Sequence, residues 1–419
     1  MPLPNLSPQD TAKWVVLLVV ALLQYIVLGV GLYVYPQYCK EDMHTSALSG
    51  RAWLNELLVG HPKRIYIALG MRRHVFLALV LQIRALGYME SQQSRLYLDE
   101  SLAIFLYTCV TGLAIDHVAE RFQHSHTTIS EHFRKILDIL SGPQFYSKYV
   151  QLPDANAPPP PAIRNNPKWW PYFQNVLGAM DEDLHSARNR KGGVTQNCLA
   201  VVSFNMRFLF FTSGWDGCAA DASMYSAARL RDLPIPEGKS YLADAGFGIC
   251  EALLVPYRQT RYHLAEWARA QLRPANYKEL YNLRHASARN VVERIFGVIK
   301  HRWTILTRPP HYDMKVQAKI PSALVALHNF ILEHDEEDID RWILDEGAED
   351  NLRGTRREQE IDFGRLSTTG RVSAAEKERA EKTRDEIAKA MWDDYQEYLD
   401  TRMDVDNNYY GDIQPEALD

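Results

Sequence analysis

Hydrophobic and polar positions follow four successive regimes along the chain. From Trp14 to Tyr35 the sequence is almost unbroken apolar, with Gln24 the one clearly polar residue. About 20 such residues suffice to cross a bilayer. Residues 1–36 are therefore read either as a membrane span or as a helix buried against the rest of the chain. Lys13 precedes the stretch while Lys40 and Arg51 follow it, so charge sets no orientation. The stretch is long for a signal-peptide core and lacks a small-residue cleavage site. Residues 37–152 then carry helical spacing. Leu102, Ile104, Phe105, Leu106 and Val110 predict an apolar helix over 101–111, closed by Gly112. Ile115, Val118 and Phe122 predict a short helix over 114–122, and Ile129, Phe133, Ile136, Leu137 and Leu140 a further one. Thr128 and Glu131 match a capping box at its start. Two short helices around a tight turn have the pattern of a helix-turn-helix, with Ser125, Thr127, Ser130 and Arg134 as groove-facing candidates. A plain helical hairpin has the same pattern.

The third regime, residues 153–175, is a proline-rich linker holding the run Pro158 to Pro161, and a domain boundary is placed there. In the fourth, 176–335, the period changes to that of strands. Short apolar runs at 176–180, 197–204, 207–215, 240–243 and 253–255 read as strands, with Asn205-Met206 turning a hairpin. A helix is expected over 219–230. The order β-β-β-α-β followed by helices predicts an α/β (α+β) domain, a mixed sheet with helices packed on it. Residues 336–419 read as an acidic tail, helical and exposed over 373–398 and disordered from Asp404.

Composition changes this picture only in its charge distribution. Over 419 residues the formal net charge is −5. Yet 257–310 holds 11 Lys and Arg against 3 Asp and Glu, while 333–419 holds 27 acidic against 12 basic residues. A basic block beside an acidic extension suits a nucleic-acid surface. The five cysteines are scattered and never in a C-x-x-C spacing, which excludes a zinc-ribbon site and points to a reducing compartment.

The candidate chemistry is carboxylate chemistry. Asp181 and Asp244 close apolar strands, where side chains reach a sheet rim. Glu293 sits at the edge of a helical stripe made by Val292, Ile295, Phe296 and Ile299. Three hard oxygen donors without His or Cys companions suit Mg²⁺ or Mn²⁺. Arg284, Arg289, Arg294, Lys300 and Arg302 flank Glu293, and with Arg134 they are the candidates for holding phosphate. On spacing alone the plainer reading is the stronger one: two turn aspartates, and a glutamate paired with Arg289 or Arg294.

Several ordered blocks shift that balance. Residues 281–300 read Tyr-Asn-Leu-Arg-His-Ala-Ser-Ala-Arg-Asn-Val-Val-Glu-Arg-Ile-Phe-Gly-Val-Ile-Lys. Upstream stand Asn189-Arg190-Lys191-Gly192 with Gln196-Asn197, then 204–208, Gly214-Trp-Asp-Gly217 with Asp221, and Tyr241-Leu-Ala-Asp-Ala-Gly-Phe247; Leu327-His-Asn-Phe-Ile331 follows. Together these resemble the PIF/Harbinger transposase-derived nucleases, a DDE superfamily with an RNase H-like fold, whose signature block reads FNxRHSxxRxxxERxFGxxK. The likeness covers roughly 178–333 and extends to fungal members in the helical region before it. It implies a metal-dependent DNA endonuclease with Asp181, Asp244 and Glu293 as successive metal ligands and Asp221 as an accessory one. It also implies Mg²⁺ or Mn²⁺ as cofactor, a nuclear location and a separate Myb-like DNA-binding partner; the residues leave a homo-oligomer open. The departure lies at 181–185, Asp-Glu-Asp-Leu-His, where the family has DGTH. Glu182 and Asp183 add bulk and negative charge next to the first ligand, which favours a rival reading as a catalytically inactive DNA-binding protein on the same fold. The nuclease reading requires the three carboxylates to meet in one pocket, unobstructed by an arginine.

Overall fold

The computed structural model describes residues 7–38, 42–87, 96–189, 192–216, 221–261, 273–339 and 372–401; the tail from Asp404, expected to be disordered, lies outside them. By its internal contacts the chain separates into two units, Met1–Ser49 and Gly50–Asp419.

The first unit is essentially one helix, Pro8–Tyr38. Ser7 starts it by accepting from the Asp10 amide at 3.2 Å. Its apolar side chains, among them Trp14, Leu18, Val27 and Leu32, are exposed.

In the second unit the helical module holds Gly50–Val59, Pro62–Leu69, Arg73–Ala85, Leu98–Thr111, Ile115–Phe122, His126–Ser141 and Pro143–Tyr149. Leu98–Thr111 is its central helix, buried on nearly every side, and Gly112 ends it in the left-handed region at φ 58°. Ile115–Phe122 and His126–Ser141 turn through Gln123, itself left-handed at φ 58°. The second of these starts three residues earlier than the capping box predicts. Ser125, rather than Thr128, is the N-cap and accepts from the Thr128 amide. A serine and a threonine three apart each satisfy cap geometry, and only the approach of the preceding turn selects between them.

The sheet has five strands, β1 Val176–Asn189, β2 Gly192–Val202, β3 Phe208–Asp216, β4 Ser240–Leu242 and β5 Leu253–Leu254. Their order is β3-β2-β1-β4-β5. The first three form an antiparallel meander, and β4 and β5 add in parallel to β1. This is the mixed sheet flanked by helices that the sequence predicts. Gly178 sits at an irregularity in the β1–β4 pairing; a Cβ there would lie 2.0 Å from the Val202 carbonyl oxygen, so only glycine allows β2 to approach.

One sheet face packs against Tyr277–Arg302 and Met314–His334; the other packs against Asp221–Arg231 through Met180, Leu199, Val201, Met224 and Tyr225. The regions on either side of the proline-rich segment are in contact. Phe145 and Tyr149 of the helical module contact Phe330, and the Tyr146 hydroxyl donates to the Phe211 carbonyl of β3 at 2.8 Å.

The acidic C-terminal helix, Ala374–Thr401, is docked rather than free. Ala380, Ala388, Met391 and Tyr395 are buried, the Arg384 guanidinium lies 3.9 Å from the Tyr257 ring centroid, and Arg379 pairs with Glu251 at 2.6 Å. Its charge pattern suggests a solvated helix because the apolar positions are few, but they recur every three to eight residues along one stripe.

Candidate active site

Asp181 lies inside β1, not past its end, because β1 runs on into the hairpin with β2. It nevertheless stands at a rim. Pairing with parallel β4 stops at Ala179↔Leu242, and Asp181 and Asp244 are each two residues beyond that pair. Both thus stand just past the last β1–β4 pair, and the Asp244 charge acts on Asp181. Asp244 is half-buried and opens the 3-10 turn Ala245–Phe247 without using its side chain as a cap.

Glu293 comes from Tyr277–Arg302, whose buried stripe includes Val292, Ile295, Phe296 and Ile299. Its side chain is 57% exposed. Between it and Asp181 lies Arg289, one helical turn earlier and 8% exposed. Arg289 Nη1 donates to Asp181 Oδ2 at 2.7 Å and Nη2 donates to Glu293 Oε1 at 2.7 Å. The other Asp181 oxygen accepts from the Glu182 amide at 3.0 Å. Burial pushes the Asp181 carboxyl up to about 7; Arg289 opposes that rise, and the charges of Asp244 and Glu293 add to it. The charges of Asp244 and Glu293 thus both reach Asp181, and Arg289 opposes them there.

The helix is moored by two residues of the 281–300 block. His285 Nε2–H donates to the Leu254 carbonyl of β5 at 2.9 Å, and burial lowers this imidazole to about 4, so it is neutral and its tautomer is set. The Asn282 side chain accepts from the Tyr257 amide at 2.8 Å and donates to its carbonyl at 3.0 Å, pairing like a strand neighbour. Asn329 of the 327–331 block does the same for Phe208 at the start of β3, accepting at 2.9 Å and donating at 2.7 Å. His328 Nε2–H donates to Met206 O at 2.9 Å. These motif residues hold the scaffold through hydrogen bonds to backbone, and His285 does so within reach of the Asp244 and Arg289 charges. Paired Asn and His in a helix that must dock on strand ends are the signal that would have identified them.

Glu182 does not crowd Asp181. Successive strand residues face opposite sides of a sheet, and the Glu182 carboxylate accepts from the Asn197 side-chain amide of β2 at 2.5 Å. The side chains of Asp183, His185 and Asp221 lie outside the described residues.

The basic candidates divide. Arg284 is buried beneath the Tyr172 ring, 5.2 Å from its centroid. Arg302 is fully buried in an ion pair with Asp338, and Arg289 is taken by the carboxylates. These three are corrected from surface contacts to internal ones: their stems fall on the packed side of the helix, which a count of basic residues ignores. Arg294 and Lys300 are partly exposed. Lys300 is seven residues from Glu293 and shares its face of the helix. Arg134 extends over Tyr312, 5.5 Å from the ring centroid, where with Ser130 and residues 307–312 it lines a cavity of about 820 Å³.

The residues fit a divalent cation in donor type and in charge, since three carboxylates face one guanidinium. The coordination itself is not formed. Among the described residues no three His, Cys, Asp or Glu side chains are grouped to hold an ion. The expectation of a pocket unobstructed by an arginine is therefore corrected: Arg289 bridges two of its walls. Arg289 stands in the 281–300 block, four residues before Glu293.

Comparison with known proteins agrees with this frame. Residues 178–329 match the DDE superfamily endonuclease domain, which implies an RNase H-like fold for the sheet region. Residues 45–142 match a domain of unknown function, DUF8040. Rattus norvegicus "Putative nuclease HARBI1" is 27% identical over 176 residues, 38% of this chain and 46% of the rat protein. The Homo sapiens protein of that name is 27% identical over 159 residues, 36% of this chain and 42% of the human one. The matched stretch thus spans less than half of these curated relatives. No solved structure matches the chain significantly.

Proposed function

We propose that this chain is a metal-dependent DNA endonuclease of the PIF/Harbinger transposase-derived kind, with Asp181, Asp244 and Glu293 as its metal-holding carboxylates. The observation that carries the reading is convergence: Asp181 and Asp244 stand at equal offsets beyond the last β1–β4 pair, and Arg289 spans Asp181 and Glu293 from between them, so the reading needs that arginine to give way when cations enter. When bound, divalent cations of this class activate water and neutralise the leaving oxygen of a phosphodiester. The chain's own groups prepare that site. Arg289 orients Asp181 and Glu293 toward each other, neutral His285 fixes the helix against β5, and Arg294 and Lys300 offer cations to the phosphates on either side. DNA as substrate, a nuclear location and a separate Myb-like partner belong to the same reading.

A second reading has its own support. Arg289 already places a cation on two of the three carboxylates, as a catalytically inactive DNA-binding descendant would tolerate permanently. Nicking of supercoiled duplex DNA by the full chain, with Mg²⁺ or Mn²⁺, separates the two. The nuclease reading expects metal-dependent nicking that is lost in folded Asp244→Asn and Glu293→Gln proteins, together with Mn²⁺ binding by wild type that both variants weaken. Equal inertness of all three, with DNA still retained at low salt, would establish the binding protein instead.

A further inference from the structure

Over residues 14–33 the Pro8–Tyr38 helix has no polar face. Trp14 through Val20 are all apolar and all exposed, so every direction around two turns presents hydrocarbon or ring, and the pattern continues through Leu22, Leu23 and Tyr25–Leu28 to Tyr33. Helices that dock on a protein surface carry one apolar stripe and a polar remainder. A helix apolar all round leaves most of its surface in water whichever single partner it meets; only a surrounding apolar medium covers it.

Length points the same way. Residues 14–35 as a helix rise about 33 Å, against about 30 Å for a bilayer's hydrocarbon core. The ends suit the two interfaces. Trp14 lies at one end and Tyr33 and Tyr35 at the other, and the charged residues Asp10 and Lys13 precede the apolar run while Lys40, Glu41 and Asp42 follow it. Ser7 and Asp10 cap each other, with the Ser7 hydroxyl donating to Asp10 Oδ2 at 2.6 Å, which completes the polar first turn where headgroups would meet it. By length and composition, Pro8–Val34 qualifies as a membrane-crossing helix with none of its apolar window buried.

We infer that residues 14–35 are a single-pass membrane anchor that tethers the Gly50–Asp419 unit to a bilayer. A nuclease domain held this way reaches DNA only where that membrane borders a DNA-containing compartment. Anchoring rests on the helix alone and stands or falls separately from nicking.

The test is flotation of the full chain, synthesised in the presence of phosphatidylcholine vesicles, and its extraction by alkaline carbonate after synthesis with microsomes. The comparison protein is the full chain carrying Leu18→Arg, Leu22→Arg and Val27→Arg together. Wild type should float with the vesicles and stay in the carbonate pellet, whereas the triple variant should remain at the bottom of the gradient with an unchanged thermal midpoint for the Gly50–Asp419 unit. Wild type recovered as a soluble monomer, or as a soluble oligomer without lipid, would overturn the proposal. So would recovery of a shortened chain lacking the apolar run, the mark of a cleaved leader.

Discussion

Two buried arginines of one helix, Arg289 and Arg302, show how alike the parts of a core and a site can be and how differently they balance. Arg302 pairs with Asp338, and both side chains are fully buried. The two charges offset each other in the core. Arg289 meets Asp181 and Glu293 with the charge of Asp244 alongside, and the Asp181 carboxyl still titrates near 7. Among the described residues one guanidinium is hydrogen-bonded to two of three neighbouring carboxylates, of which Asp181 is the most buried and Glu293 is largely in water. A balanced buried pair is what a scaffold uses; an unbalanced cluster at a strand rim is what attracts a further cation.

The sharpest test of that contrast is deletion of each arginine. Arg302→Met strands the Asp338 charge in the core and should lower unfolding free energy by about 3–5 kcal/mol in denaturant titration. Adding Asp338→Leu should restore most of it, since replacing both partners removes the stranded charge. If Arg302→Met alone were harmless, the description of a mutually offset buried pair would be wrong.

The pH dependence of Asp181 comes next. Its carboxyl lies near 7 in the folded chain and near the ordinary 3.8 when unfolded, so the native state holds the extra proton between those values. Stability from this group is therefore lost as pH rises from about 4 through about 7, by about 4 kcal/mol at one unit per 1.4 kcal/mol. Buried His285 and His328, lowered to about 4 and about 3, pull in the opposite direction, with stability rising with pH up to their unfolded value near 6.5. Plotting Asp181→Asn against wild type cancels the histidines: the variant should gain relative stability steadily across that window, and a flat difference would remove the unbalanced-cluster description.

Arg289→Met should cost about 2–3 kcal/mol, less than Arg302→Met because Glu293 is largely in water. No single carboxylate substitution should fully rescue it, and Mn²⁺ should stabilise this variant more than wild type, measured as a shift in thermal midpoint. The smallest effect belongs to the surface. Lys300→Ala should change stability by no more than about 0.5 kcal/mol, while weakening DNA retention and reducing the slope of log affinity against log salt by about 1.

Much of this was legible one residue at a time. The apolar run at 14–35, the strand order that yields the sheet, the helix carrying Glu293 and the ordered motif blocks all follow from local pattern, because period, turn residues and spacing are properties of neighbours in the chain. What local pattern could not show is which face a residue takes and whom it meets there. Glu182 reads as a neighbour of Asp181 in sequence and is across the sheet from it in space. Arg284, Arg289 and Arg302 read as a basic surface and are interior. The C-terminal helix reads as an acidic extension and is docked through Ala388, Met391 and Tyr395. Sequence by itself determined the elements and the chemical types available to them. Tertiary structure alone decided the charge balance around Asp181, because electrostatic energy depends on distances between residues more than a hundred positions apart and on how much water their packing excludes.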